Sequence, residues 1–119
     1  MIARRGPIRA RRATPRRSSR VRDPLYLAFV ATLPCVQCGR VGASHAHHAG
    51  RRHGMGTKCD DTEAVPLCGH PGGCHEAWHR GSGPFAGLVQ AERRALARRW
   101  IEDTQVAAAR AAADTGDPW

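Results

Sequence analysis

Apolar residues fall in short runs along this chain, and each run carries its own period. The first is "DPLYLAFVATL". Asp23 suits a helix N-cap and Pro24 a first helical position, so a short helix is predicted, ended by Pro34. "ASHAHH" reads as a strand, and "EAVPLC" as a second one kept short by Pro66. The connection between them, "AGRRHGMGTKCDD", is too polar and too rich in glycine for a regular element. "GHPGG" is a turn, "CHEAWH" opens a helix and "RGSGP" breaks it. A long helix is predicted from Pro84 to about Ala113. Phe85, Leu88, Val89, Leu96 and Trp100 recur at helical spacing as its packing stripe. The arginines on its other faces read as solvated charge. No internal repeat is present.

This order of elements gives one small α+β domain. Residues 23–82 form the core, 83–113 a helix packing on it, and 114–119 a tail. Residues 1–22 read as an arm. The first 20 residues hold eight Arg, no acid and almost no apolar periodicity, so they bury too little surface to offset chain entropy and are expected to be disordered. The roughly 90 residues left make a marginal core of the kind that commonly needs a metal or disulfide staple.

Charge follows the same division. The formal net charge is +9, of which the first 20 residues supply +8. A basic arm on a nearly neutral body points to phosphate contacts, with nucleic acid the commonest partner. A solvated tail or an Arg-rich transit peptide is the plainer reading. "LYLAFVATL" is a poor secretory signal, being short, far from the start and without a following A-x-A site. No run approaches the ~20 apolar residues of a membrane span, so no membrane partner is expected.

Five cysteines, Cys35, Cys38, Cys59, Cys68 and Cys74, are an odd number with histidines nearby, which favours metal and a reducing compartment over disulfides. "PCVQCGR" is a Cys-x2-Cys knuckle. With Cys68 and Cys74, spaced more loosely around "GHPGG", Cys35 and Cys38 make a four-thiolate zinc site. His70 competes with Cys74 for the fourth place but stands only two residues from Cys68, which strains the geometry. Cys59 is left over.

The histidines form a second set. His75 and His79 lie four apart on a predicted helix and share a face. Cys74, one residue from His75, is turned about 100° away. One short helix can thus serve a thiolate site and an imidazole site. His45, His47 and His48 lie on the strand after the knuckle, and one of them can complete a site with His75 and His79. Such a site, open in one position, suits catalysis more than structure. His45, His53 and His70 more simply cap, pack or meet phosphate.

"HH", a loop, "EAVPLC" and "CH" with a further His four residues on resemble the ββα-metal core of the HNH nucleases, in their zinc-knuckle branch. Within it, residues 22–79 are similar to the Ref-like recombination nucleases of phages and prophages. The resemblance implies that His47, His75 and His79 ligate a catalytic divalent ion, Mg2+ or another. It implies that His48 is the general base activating water, with a 5′-phosphate and a 3′-hydroxyl as products. Glu63 stands at the motif's middle position, where the family has Asn, with Asp60 and Asp61 beside it. An acid there can orient the loop or ligate a hard ion. Strand alternation would set His47 and His48 on opposite faces; one site can use both if the strand ends near Gly50.

The leading expectation is therefore a metal-dependent DNA endonuclease stapled by zinc, in the cytoplasm of a bacterial host. Arg4, Arg5, Arg11, Arg12, Arg16 and Arg17 of the arm, with Arg51, Arg52 and Lys58 of the glycine-rich loop, are its expected contacts to DNA. A recombination or packaging protein of phage or host is the further partner to expect. The alternative is a zinc-stabilised nucleic-acid-binding module without catalysis; a third reading is a small assembly factor tethered by its arm.

Overall fold

A computed structural model of the protein describes residues 21–50 and 58–116. The arginines expected to contact DNA from the arm, and Arg51 and Arg52 with them, lie outside the described residues.

The described chain folds as a small α+β unit: helix α1 (Pro24–Thr32), strand β1 (Ser44–His48), strand β2 (Ala64–Cys68), helix α2 (Cys74–Arg80) and helix α3 (Gln90–Thr115). Among the described residues, no helix is long and apolar enough to cross a membrane.

Local chemistry accounts for the element ends. Asp23 caps α1, its carboxylate accepting from the Tyr26 N–H at 3.0 Å, which satisfies one of the donors a helix start leaves unpaired. Gly81 closes α2 with φ +64°, in the left-handed region that favours glycine. β1 and β2 pair antiparallel, with His47 opposite Val65 and His48 opposite Ala64. Pro66 is tolerated because a two-stranded sheet has only edge strands; its carbonyl accepts from the Val36 N–H at 2.8 Å, tying the knuckle to the sheet.

β2 is buried along its whole length. Val65 and Leu67 join Trp78, Phe85, Ala97 and Trp100 in the larger apolar cluster, while Ala64 joins Tyr26, Val30 and Ala108 in the smaller. β2 thus runs between α1 on one side and α2 on the other, with α3 reaching both clusters through Ala97 and Trp100 and through Ala108. Trp78 packs its ring 4.9 Å from that of Trp100 and 5.0 Å from that of Phe85, separations that aromatic pairs favour.

The long helix differs from its prediction. It starts at Gln90, not Pro84, and runs to Thr115. Gly83, Pro84 and Phe85 form a separate 3-10 turn, and Gly87 takes φ +78°, which breaks helical continuity. The true start is marked by Glu92, whose carboxylate accepts the Val89 N–H at 3.0 Å, one half of a capping box. Phe85 still enters the core, but from the turn. Val89 is exposed, and the buried side of α3 is Ala97, Trp100, Thr104 and Ala108.

Candidate metal centres

The knuckle brings the first thiolates together. Gly39, at φ +78°, turns the chain so that its N–H reaches the Cys35 carbonyl at 2.9 Å. β2 delivers Cys68, and the "GHPGG" turn returns Cys74 at the start of α2. The sulfurs of Cys35, Cys38, Cys68 and Cys74 all lie within 4.8 Å of one another. Cys38 Sγ is 3.7 Å from Cys68 Sγ, and the Cys74 N–H donates to Cys68 Sγ at 3.2 Å. His70 is not in the group; its Nε2 stands 3.3 Å from an Arg40 guanidinium nitrogen. Cys59 is buried apart from the four.

Burial raises the pKa of Cys74, and the neighbouring thiols of Cys68, Cys38 and Cys35 raise it further. Burial also raises Cys68. At Cys35 burial pushes the same way but is outweighed by hydrogen bonds from the backbone of Cys38, Cys68 and Gln37, which bring it to about 7. Four sulfurs converging in this way suit a soft or borderline cation, which would stabilise the thiolates outright; tetrahedral zinc fits that donor set.

A second cluster lies on the other side of α2. Nitrogens of His47, from β1, and of His75 and His79, from α2, also lie within 4.8 Å of one another. His75 Nε2 is 3.1 Å from His47 Nδ1 and 3.1 Å from His79 Nε2. His47 is only 9% exposed. Burial, reinforced by the charges of His75, His79, His48 and Arg93, lowers its pKa to about 3. Burial, with His79 and His45, also lowers His75. Both rings are thus biased to the neutral state, the form in which imidazole ligates metal. Three imidazoles match a first-row transition ion better than Mg2+, which favours oxygen ligands.

Strand alternation decides where the remaining histidines point. His45 and His47 face α2, and His45 meets the His75 ring edge-on at 5.6 Å. Ser44, Ala46 and His48 face α1. The Ser44 hydroxyl donates to the Leu33 carbonyl at 2.7 Å, and Ala46 packs on the Tyr26 cluster. His48 therefore stands outside the three-histidine group. Its Nε2 is 2.8 Å from Asp61 Oδ1. Asp61 is 3% exposed, and its other oxygen accepts the Asp23 N–H at 2.8 Å. An ionised carboxylate can only accept, so the His48 nitrogen that faces Asp61, Nε2, is the one that donates.

Glu63, the acid at the motif's middle position, stands apart from this pair. It lies in a 3-10 turn, Asp61–Glu63, and its side chain covers Gly50, where an added Cβ would collide with it. The acid that engages a histidine is Asp61, two residues earlier. Its signal in the sequence was weak, because three acids stand within four residues and only the turn decides which one faces β1. Lys58 is exposed.

No curated protein and no solved structure matches this chain. Residues 11–87 match the model of a family described as "Protein of unknown function (DUF968)". That span holds both clusters and stops short of α3. As it covers more than half of the 119 residues, the chain belongs to DUF968.

Proposed function

We propose that this protein is a metal-dependent DNA endonuclease of the ββα-metal, HNH type, with a four-cysteine structural zinc. The observation that carries the reading is the division of labour between adjacent strand residues: His47 joins His75 and His79 in a set of ligand atoms within 4.8 Å, while His48 turns to a buried carboxylate at 2.8 Å. The same pair also ties β1 to the cap of α1, so the test below reads cleavage separately from zinc content.

In this reading His47, His75 and His79 hold a divalent ion, which when bound supplies positive charge against the developing phosphoryl oxyanions. His48 Nδ1 takes a proton from the attacking water, and Asp61 stabilises the resulting imidazolium through its bond to Nε2–H. The oxygen of that water forms the new bond to phosphorus, and the bond to the 3′ oxygen breaks. The departing 3′ oxygen takes a proton from solvent water, so the products are a 5′-phosphate and a 3′-hydroxyl. The zinc staple fixes the start of α2 and thereby the direction of His75 and His79.

His48→Ala tests this assignment. It should retain its zinc and lose about 10²–10⁴-fold in DNA cleavage, the usual contribution of a general base. A variant that cuts as fast as the parent removes His48 from the mechanism. The thiolate cluster and the basic arm also fit a zinc-stabilised binding module, and metal counting separates the two: one zinc per chain, with no cleavage in any added divalent ion, belongs to the module.

A further inference from the structure

A groove of about 950 Å³ runs between α3 and the end of β1, lined in part by Trp78 of α2. One wall is α3, which presents Arg93, Arg94 and Arg98 to it. The other is the chain leaving β1, Ala49 and Gly50, with Glu63. No histidine lines the groove, but sequence neighbours of the candidate centre do, and the charge of Arg93 in the lining is felt at His47. Ala49 follows His48 directly, and Trp78, also in the lining, lies between His75 and His79 on α2.

Arg93 is held in place at this junction. Its guanidinium lies 3.9 Å over the Trp78 ring and donates to the Trp78 carbonyl at 2.7 Å. Stacking of this kind orients the fork. A guanidinium has five N–H donors in a plane, so one bond to a carbonyl leaves others to meet an oxyanion. Arg94 and Arg98 are exposed. They stand one helical turn apart, about 6 Å along the axis, so both can meet successive phosphates of one strand. Three guanidiniums outnumber the two carboxylates of the lining, Glu63 and Glu102.

We infer that this groove is the track for the DNA backbone, with Arg93 seating a phosphate beside the three histidines and Arg94 and Arg98 holding the adjoining phosphates. The inference rests on the nuclease reading and identifies the surface on which that site receives its substrate. It also revises the sequence reading of the α3 arginines as solvated charge. Arg99 and Arg110 are exposed on the same helix but do not line the groove, so they provide a control matched in charge.

The test compares Arg94→Ala/Arg98→Ala with Arg99→Ala/Arg110→Ala in the full zinc-loaded chain. Affinity for a short fluorescein-labelled DNA duplex is read by anisotropy over a range of salt, without added divalent ion. Each pair removes two exposed charges and installs the best helix former, so the fold is preserved. The groove pair should weaken binding about tenfold or more and reduce the salt slope by about 2, one unit per lost phosphate contact. The control pair should stay within about twofold of the parent. Equal weakening by the two pairs, no weakening by the groove pair, or no duplex binding by the parent overturns the inference. Plasmid cleavage by the parent with divalent ion is scored separately. A parent that binds through the groove but never cuts sinks the nuclease reading alone; a parent that cuts while both pairs bind alike sinks the groove alone.

Discussion

Asp61 is the residue on which the proposed catalytic geometry turns. Its carboxylate accepts from the Asp23 N–H on one oxygen and meets His48 on the other, so it joins the cap of α1 to the proposed base. Asp61→Asn keeps the volume but can present an amide N–H to the His48 ring, disturbing the tautomer. Cleavage should fall measurably while zinc content stays at the parent's value, and by less than for His48→Ala. Unchanged cleavage would show that His48 does not depend on this partner. His47 gives a prediction in pH. Its imidazole is held to about 3 in the fold, against about 6.5 when exposed. Between those values the unfolded chain binds a proton that the folded chain rejects, so folding stability falls as pH drops from about 6.5 toward 3 and is unaffected above that window. In protein free of the second divalent ion, His47→Asn should flatten the decline relative to the parent in denaturant titrations at stepped pH. Parallel curves would contradict the burial of a neutral ring.

The elements show which parts of this architecture were legible from sequence. Helix α1, both strands and α2 stand where capping residues and glycine or proline breaks predicted them, because those signals are local and uncontested. The set Cys35, Cys38, Cys68 and Cys74 was legible because a Cys-x2-Cys knuckle has one common use and His70 was geometrically strained. The start of α3 was not, since Phe85 and Leu88 mimic a helical stripe while Gly87 adopts a positive φ, a property of the turn that periodicity does not report. The partner of His48 was hidden for a related reason: the Asp61–Glu63 turn, not spacing, selects Asp61. The core makes its own prediction at this scale. Trp100 is 4% exposed and packs against Trp78 and Phe85. Trp100→Ala should cost about 3–5 kcal/mol, a large share of the roughly 5–15 kcal/mol typical of a domain. Chemical denaturation of the zinc-loaded protein measures it, and a loss below about 1 kcal/mol would mean that α3 is not anchored there.

At the scale of the whole molecule, a small core is organised from one short helix. Cys74 opens α2 toward the thiolate cluster, while His75 and His79 face the imidazole cluster. A candidate metal staple and a candidate reaction centre therefore share a rigid support. Zinc removal should propagate from one to the other. Cys35→Ser, at a buried thiolate, should abolish tight zinc retention and lower the melting temperature sharply, since zinc-domain folding and metal binding are coupled; a variant that melts like the parent would make the staple dispensable. The central claim is that the second cluster does chemistry on DNA, and plasmid cleavage tests it most directly. Zinc-loaded parent protein is incubated with supercoiled plasmid at low salt, with and without Mg2+, Mn2+, Ni2+ or added Zn2+. The account predicts divalent-dependent conversion to nicked or linear DNA with 5′-phosphate ends, faster with a transition ion than with Mg2+. Plasmid that stays supercoiled with every ion would contradict it.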